Sequence, residues 1–179
     1  KSRGDRIGGL VFRNSAHIEL KPRSRKAAVL HYLHALTQLN NTPLTPSDQN
    51  TAQKNAIADF ADHCARLRQL AKPGSLVYLI TDGQALLNIE NQQDSQYSNK
   101  QDALRHLMRV AKHCELVVCF INDPLELSLP ETPIKLTATL TDGINRQQLT
   151  LGDKQTAKNY QKLAMLRNDE KQQALIEIG

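Results

Sequence analysis

The stretch SLVYLITDGQ, from Ser75 to Gln84, decides the fold that the sequence predicts. It follows Pro73-Gly74 and contains five consecutive apolar or aromatic residues, Leu76 to Ile80. Such an unbroken run is typical of a buried parallel strand with helices on both faces, because a strand with one solvated face alternates. Asp82 then leaves the core at the carboxyl end of the strand. In open parallel α/β sheets this edge is where ligands bind.

A second buried run, Glu115 to Ile121, ends in Asn122-Asp123-Pro124. If the two strands are parallel, Asp123 lies on the same edge of the sheet as Asp82. Both acids also have a structural interpretation, Asp82 as a cap or turn residue of the next loop and Asp123 as a brace for the turn before Pro124. For Asp82 the two interpretations stay open, and for Asp123 the structural one is favoured.

Amphipathic helices are predicted from the spacing of apolar residues. One runs from Ser24 to Leu39 and faces the core with Val29, Leu30, Leu33, Leu36 and Leu39. The others run from Thr51 to Ala71, from about Lys100 to His113, and from Asp153 to about Ile176 with Tyr160, Leu163 and Leu166 inward. With the buried strands, these helices predict an α/β protein.

Two hairpins flank this α/β arrangement. The first pairs Ile7 to Phe12 with Ala16 to Leu20, and Gly8-Gly9 inside it predicts the close approach of a helix or another backbone. The second pairs Ile134 to Leu140 with Gln147 to Leu151 around an Asp142-Gly143 turn. Loops rich in turn-forming residues are expected at 40–50 and 88–99.

Composition limits the classes of protein to which the chain can belong. A length of 179 residues fits one domain, and no apolar run approaches the roughly 18 residues of a membrane span. The three cysteines form no CxxC pair, which fits a reducing compartment, and we expect a cytoplasmic protein. The net charge of +5 is concentrated before Lys26, but no aromatic residues interleave with these charges, so no nucleic acid is expected as a partner.

Four segments carry a resemblance to a known family: GDRIGGLVF (4–12), ELKPRSRKAAVLHYLHAL (19–36), PGSLVYLITDG (73–83) and DPLELSLP (123–130). In this order they resemble a von Willebrand factor A-like domain of the bacterial MoxR-associated family. The resemblance implies a single domain over 1–179 with a Rossmann-like sheet and helices on both faces. It also implies that the first strand of the sheet lies upstream of Lys1, so the chain is expected to be a piece of a longer protein whose flanks could hold a membrane anchor.

The resemblance also implies a metal-ion-dependent adhesion site. In such a site Asp82 would be the aspartate after the fourth strand, and Thr42 would be the threonine of the second loop, with Thr45 as the alternative. The Asp-x-Ser-x-Ser motif that supplies most ligands is absent from the sequence. We therefore expect Mg²⁺ to bind in the intact parent protein and weakly or not at all in this chain.

The function implied by the family is that of a protein-interaction module, not an enzyme, working with a MoxR-type AAA+ ATPase in the assembly or maturation of protein complexes. The alternative is a metal-dependent hydrolase that uses Asp82 and Asp123. The sequence places no histidine, lysine or cysteine beside either acid to act as a base or nucleophile.

Overall fold

The computed structural model describes residues 5–41, 46–87, 94–141 and 146–178, and the side chains of all of these except 46–55 and 94–97. Within these ranges the protein is a mixed α/β structure with five α-helices and three two-stranded sheets. The prediction of an α/β protein is confirmed, as are the N-terminal hairpin and the C-terminal hairpin followed by a helix. The elements are β1 (Arg6–Arg13), β2 (Ala16–Ser24), α1 (Arg25–Asn41), α2 (Pro46–Leu70), β3 (Leu76–Thr81), α3 (Asp94–Ala111), β4 (Glu115–Phe120), α4 (Pro124–Leu127), β5 (Leu136–Thr141), β6 (Arg146–Leu151) and α5 (Lys154–Ile178).

The chain divides into two compact units. The first comprises Lys1–Val77 and Gln92–Leu116, and the second comprises Tyr78–Asn91 and Val117–Gly179. A single domain over 1–179 stays a prediction. No helix in the described ranges is both long enough and apolar enough to cross a membrane.

In the first unit the β1–β2 hairpin packs against α1. Val11, Leu20, Ala35 and Leu39 form a buried cluster, with Ile18 and Tyr32 packed against it. A Cβ at Gly9 would lie 2.6 Å from the Tyr32 ring, which confirms the close approach of a helix to this strand. The second strand was predicted to end at Leu20, which is wrong, because β2 continues through Lys21 and Pro22 to Ser24. Pro22 is tolerated because, in the described part of the chain, β2 pairs with β1 alone and so has an open edge.

The face that α1 turns to the core differs from the predicted one. Ala28, Ala35 and Leu39 are its buried residues, and of the five predicted residues only Leu39 is among them. Apolar residues occur on more than one side of this helix, so their spacing alone did not select a face. The two alanines allow α1 to approach the hairpin closely, which leaves the larger aliphatic side chains outside.

Helices α2 and α3 supply the rest of the apolar core of the first unit. Their fully or almost fully buried side chains are Ile57, Phe60, Cys64, Ala103, Leu104, Leu107 and Val110. The ring of His63 is also buried, where it stacks on Phe12 and hydrogen-bonds the carbonyl oxygen of Asn14 at 2.6 Å. This bond ties the β1–β2 turn to α2. Both helices begin earlier than predicted, α2 at Pro46, which suits a first helical position because it needs no N–H donor there.

Strand β3 is not fully buried, contrary to the prediction. Val77 and Leu79 are buried, whereas Leu76, Tyr78 and Ile80 are between 52% and 61% exposed. The strand therefore alternates like one with a single covered face. The apolar residues on its other face are left in contact with solvent.

The second unit contains the ends of β3 and β4, then α4, the β5–β6 hairpin and α5. Strands β5 and β6 are antiparallel, and the predicted turn residues Asp142 and Gly143 lie outside the described residues. The predicted inner face of α5 is wrong at Leu163 and Leu166, which are more than half exposed, whereas Tyr160 is partly buried. Its buried residues are Ala164, Lys171, Ala174 and Ile178.

Candidate functional site

The carboxyl ends of β3 and β4 define the edge at which the sequence predicts a site. At the start of the strands Glu115 N donates to Ser75 O at 3.0 Å, and at their end Ile121 N donates to Thr81 O at 2.9 Å. The same residue offset at both ends shows that the strands are parallel, as predicted. Asp82 and Asp123 therefore follow the ends of two adjacent parallel strands.

Asp82 is exposed and begins a tight turn. Its Oδ1 accepts a hydrogen bond of 3.1 Å from Gln84 N, and the Thr81 hydroxyl accepts one of 3.2 Å from Gly83 N. Gly83 has a φ of +71°, and a Cβ there would lie 2.7 Å from the Phe120 ring, so only glycine fits this position without strain. The structural interpretation of Asp82 as a turn residue is confirmed, whereas its role as a metal ligand stays a prediction.

Asp123 caps the short helix α4. Its Oδ1 accepts a hydrogen bond of 2.8 Å from Leu125 N, and Pro124 occupies the first helical position, where it needs no donor. Glu126 N donates to the carbonyl oxygen of Asp123 at 2.9 Å. The favoured interpretation of Asp123 as a brace for this turn is confirmed.

Lys171 of α5 is a residue at this edge that sequence reasoning missed. Its side chain is only 4% exposed, and its Nζ donates a hydrogen bond of 3.2 Å to Asn122 Oδ1. The same ammonium lies 5.8 Å from the centroid of the Phe120 ring, and the Cδ lies 3.1 Å from the position a Cβ would take at Gly83. A lysine side chain on a helix is expected to be exposed to solvent, and no pattern in the sequence indicates that this one is buried.

The described residues contain no group of three or more histidine, cysteine, aspartate or glutamate side chains placed to hold a metal ion. Asp82 offers one carboxylate, and one of its oxygens already accepts an N–H. Thr42 and Thr45, the two candidate threonines, lie outside the described residues. Mg²⁺ prefers near-octahedral oxygen coordination, which a single carboxylate cannot supply.

A second feature is an apolar surface on α1. The side chains of Val29, Leu30, Leu33 and Leu36 are 45% to 55% exposed. They lie on one side of the helix, because residues three, four and seven apart share a face. We call these four residues the α1 apolar face. Its amino-terminal end is basic, since Arg25 and Lys26 form the first turn and the sequence of α1 contains no aspartate or glutamate.

Comparison of the chain with protein-family models, with curated proteins and with solved structures finds no match.

Proposed function

We propose that this chain is a protein-interaction module of the von Willebrand factor A-like, MoxR-associated type. It works with a MoxR-type AAA+ ATPase in the assembly or maturation of protein complexes, in the cytoplasm, and is not itself an enzyme. The proposal includes a Rossmann-like sheet in the complete domain. Support for the family comes from the four resembling segments and from the parallel β3–β4 pair that ends at Asp82.

The observation that carries an interaction function is the α1 apolar face. Single exposed leucines are common on protein surfaces, whereas four large aliphatic side chains on one side of one helix form a contiguous apolar patch, which is typical of an interaction surface. Burying a fully exposed leucine side chain contributes about 1.5 to 3 kcal/mol, and these side chains are about half exposed, so each contributes roughly half of that. A partner that covers this face therefore gains a substantial part of a binding free energy from it.

Charge indicates what kind of partner surface fits. The first turn of α1 carries Arg25 and Lys26, and Lys21 and Arg23 at the end of β2 are exposed. The nearby acid Glu19 forms an ion pair with Arg66. The partner surface is accordingly expected to combine an apolar strip with carboxylates that face the amino-terminal end of α1. An acidic, amphipathic segment of the ATPase would have this chemistry.

Asp82 is the second contact in the proposal. In the parent protein it would contribute one carboxylate to a partial metal-ion-dependent adhesion site, together with Thr42 or Thr45 and ligands from outside this chain. A carboxylate of the partner would complete the coordination of Mg²⁺ there, which is the chemistry that the resemblance implies. No step of the proposal for this chain alone depends on the metal.

The metal-dependent hydrolase using Asp82 and Asp123 is not favoured by any contact in the structure. Each carboxylate accepts an N–H from a residue two positions along the chain, which is a local structural role. Turnover of a phosphate or ester substrate that disappears in Asp123→Ala, with folding unchanged, would revive this alternative.

The test is a pull-down of a purified MoxR-type ATPase with the wild-type chain, Leu33→Gln and Leu163→Gln. Leu163 is a matched control, because it is an exposed leucine of α5 with 56% exposure against 54% for Leu33. Loss of most binding in Leu33→Gln and retention in Leu163→Gln would support the proposal. Equal binding by all three proteins would contradict it.

The contribution of Mg²⁺ to binding of the ATPase is tested in a separate experiment. Binding is measured in the parent protein with Mg²⁺, with a chelator and with Asp82→Ala. The ATPase itself depends on Mg²⁺, so the Asp82→Ala arm is the decisive one. Full binding in all three conditions would remove the metal bridge from the proposal and leave the α1 apolar face as the only contact.

A further inference from the structure

The first unit contains a pocket of about 310 Å³ where the carboxyl-terminal ends of α2 and α3 meet. Its size lies at the lower end of the range of about 300–1,000 Å³ for small-molecule sites. It is lined by Arg68, Ala71, Pro73, Arg109, Val110, His113 and Cys114. None of these residues belongs to the Asp82 edge or to the α1 apolar face.

The lining combines positive charge with apolar surface. Arg68 and Arg109 supply two guanidinium groups, His113 supplies an imidazole, and no lining residue carries a carboxylate. Among the arginines of the same two helices, Arg66 is paired with Glu19 and Arg105 with Asp102. No such ion pair joins Arg68 or Arg109 to a described carboxylate. Two charges therefore face this pocket without a carboxylate of the described chain beside them.

The pKa of His106, one turn before Val110 on α3, is affected by these two charges. Burial is the main cause that lowers the pKa of His106, and the charges of Arg68 and Arg109 lower it further, while Asp102 and Asp62 act in the opposite direction. Its Nδ1 is buried and has no hydrogen-bond partner within the described residues. An anion between the two arginines would reduce this repulsion.

Arginines at the end of a helix often serve the helix itself, because cations are favoured there and can bond its last carbonyl groups. Here backbone N–H groups fill part of that role. Leu67 O accepts from Ala71 N, Val110 O accepts from both His113 N and Cys114 N, and His113 O accepts from Gly74 N. The carbonyl oxygen of Lys72 accepts from Ser75 N and from the Cys114 thiol. Among the described residues neither Arg68 nor Arg109 donates a hydrogen bond to a carbonyl oxygen of a helix end, so their guanidinium groups do not act as caps.

We propose that this pocket binds the phosphate group of a small organic monoester. Two guanidinium groups match the two negative charges of a phosphate monoester and can each donate a pair of parallel hydrogen bonds to it. Ala71, Pro73 and Val110 provide an apolar surface for the organic part of the ligand. A monocarboxylate would leave one of the two arginines without a partner, so phosphate is the better match.

The test is a calorimetric titration of the whole chain with phenyl phosphate and with inorganic phosphate at constant ionic strength. Phenyl phosphate is expected to bind to one saturable site, and inorganic phosphate is expected to bind more weakly because it has no apolar part. Arg68→Gln and Arg109→Gln are each expected to weaken binding by about tenfold or more, since each removes charge-assisted hydrogen bonds. In the wild type, saturation should raise the pKa of His106, measured by NMR.

Arg105→Gln is the matched control, because Arg105 is a paired arginine of α3 that does not line the pocket. Its affinity for phenyl phosphate is expected to equal that of the wild type. Circular dichroism of each variant shows whether it is folded, and Arg109 is exposed, so its replacement is not expected to unfold the chain. No saturable binding, or an equal loss of affinity in Arg105→Gln, would overturn the proposal. Equal affinity for the two phosphates would overturn the role of the apolar surface.

Discussion

Lys171 Nζ donates a hydrogen bond of 3.2 Å to Asn122 Oδ1, which places a buried ammonium of α5 directly after the end of β4. The ammonium also lies 5.8 Å from the centroid of the Phe120 ring, within the range of a cation–π contact. Burying a charge is costly unless it is hydrogen-bonded. The contact with Asn122 is therefore important for the second unit, because it joins α5 to the edge that carries Asp82 and Asp123.

Lys171→Ala is expected to lower the free energy of unfolding by about 1–3 kcal/mol, because it removes this hydrogen bond and the packing of the lysine stem. Urea unfolding measures the change. Lys162→Ala is the control, since Lys162 is an exposed lysine on the same helix, and its effect should stay within about 0.5 kcal/mol. Equal effects of the two substitutions would contradict the structural role of Lys171.

Asp153 lies directly before α5, and we expect it to make the stability of the protein depend on pH in the acid range. The backbone N–H of Thr156 is the main cause that lowers the pKa of Asp153, and the Thr156 hydroxyl and Lys135 add to it. A group with a lowered folded-state pKa stabilises the protein above its unfolded pKa, about 3.9 for aspartate, and this contribution is lost as the pH falls through the folded-state pKa. The stability difference between the wild type and Asp153→Ala should therefore shrink on acidification below about pH 4.

Urea unfolding of both proteins at neutral pH and at several acid pH values measures this difference. Asp169→Ala, which removes an exposed carboxylate from the same helix, controls for the general effect of charge. A difference between wild type and Asp153→Ala that grows on acidification would show that the sign is wrong.

Cys64 is expected to resist alkylation in the folded protein. Its side chain is 2% exposed, and burial raises the pKa of its thiol to about 12, so almost no reactive thiolate is present at neutral pH. Cys114 and Cys119 are partly exposed. A colorimetric thiol assay should detect two thiols in the native chain and all three in denaturant. Reaction of Cys64 at the rate of the other two would contradict its burial.

Mg²⁺ is expected to bind this chain weakly or not at all, because Asp82 supplies one carboxylate with one oxygen already bonded to Gln84 N. Calorimetric titration with MgCl₂ should give no saturation at submillimolar concentrations. Asp82→Asn is the control, and its titration should match that of the wild type. Tight binding by the wild type that disappears in Asp82→Asn would show that this chain holds a complete site.

The sequence predicted where the helices and strands lie better than it predicted which of their faces are buried. The hairpins follow from turn residues and apolar runs, which are local signals. The unbroken apolar run of β3 predicted burial on both faces, but only one face of the strand is covered. The inner face of α1 was predicted wrongly because large aliphatic residues formed the more regular pattern, while the small side chains of Ala28 and Ala35 permit the closer packing. Which of two apolar faces is buried depends on the neighbouring element, and periodicity does not contain that information.

The sequence also predicted only part of the candidate site, namely Asp82 but not Lys171. The position of Asp82 after a strand was evident from the Thr-Asp-Gly that ends the apolar run, and its turn geometry was one of two interpretations left open. Lys171 was not predicted, because its burial results from the packing of α5 and leaves no pattern in the sequence. The two candidate threonines, Thr42 and Thr45, lie outside the described residues and stay predictions.

Hydrogen–deuterium exchange of the chain with and without a MoxR-type ATPase is the most direct test of the α1 apolar face as the interaction surface, because it locates the contact. We expect exchange to slow in α1, Arg25–Asn41, when the ATPase binds, and to stay unchanged in the α5 residues around the exposed Leu163. Binding of the ATPase with no change of exchange in α1 would contradict the assignment of the α1 apolar face as the interaction surface.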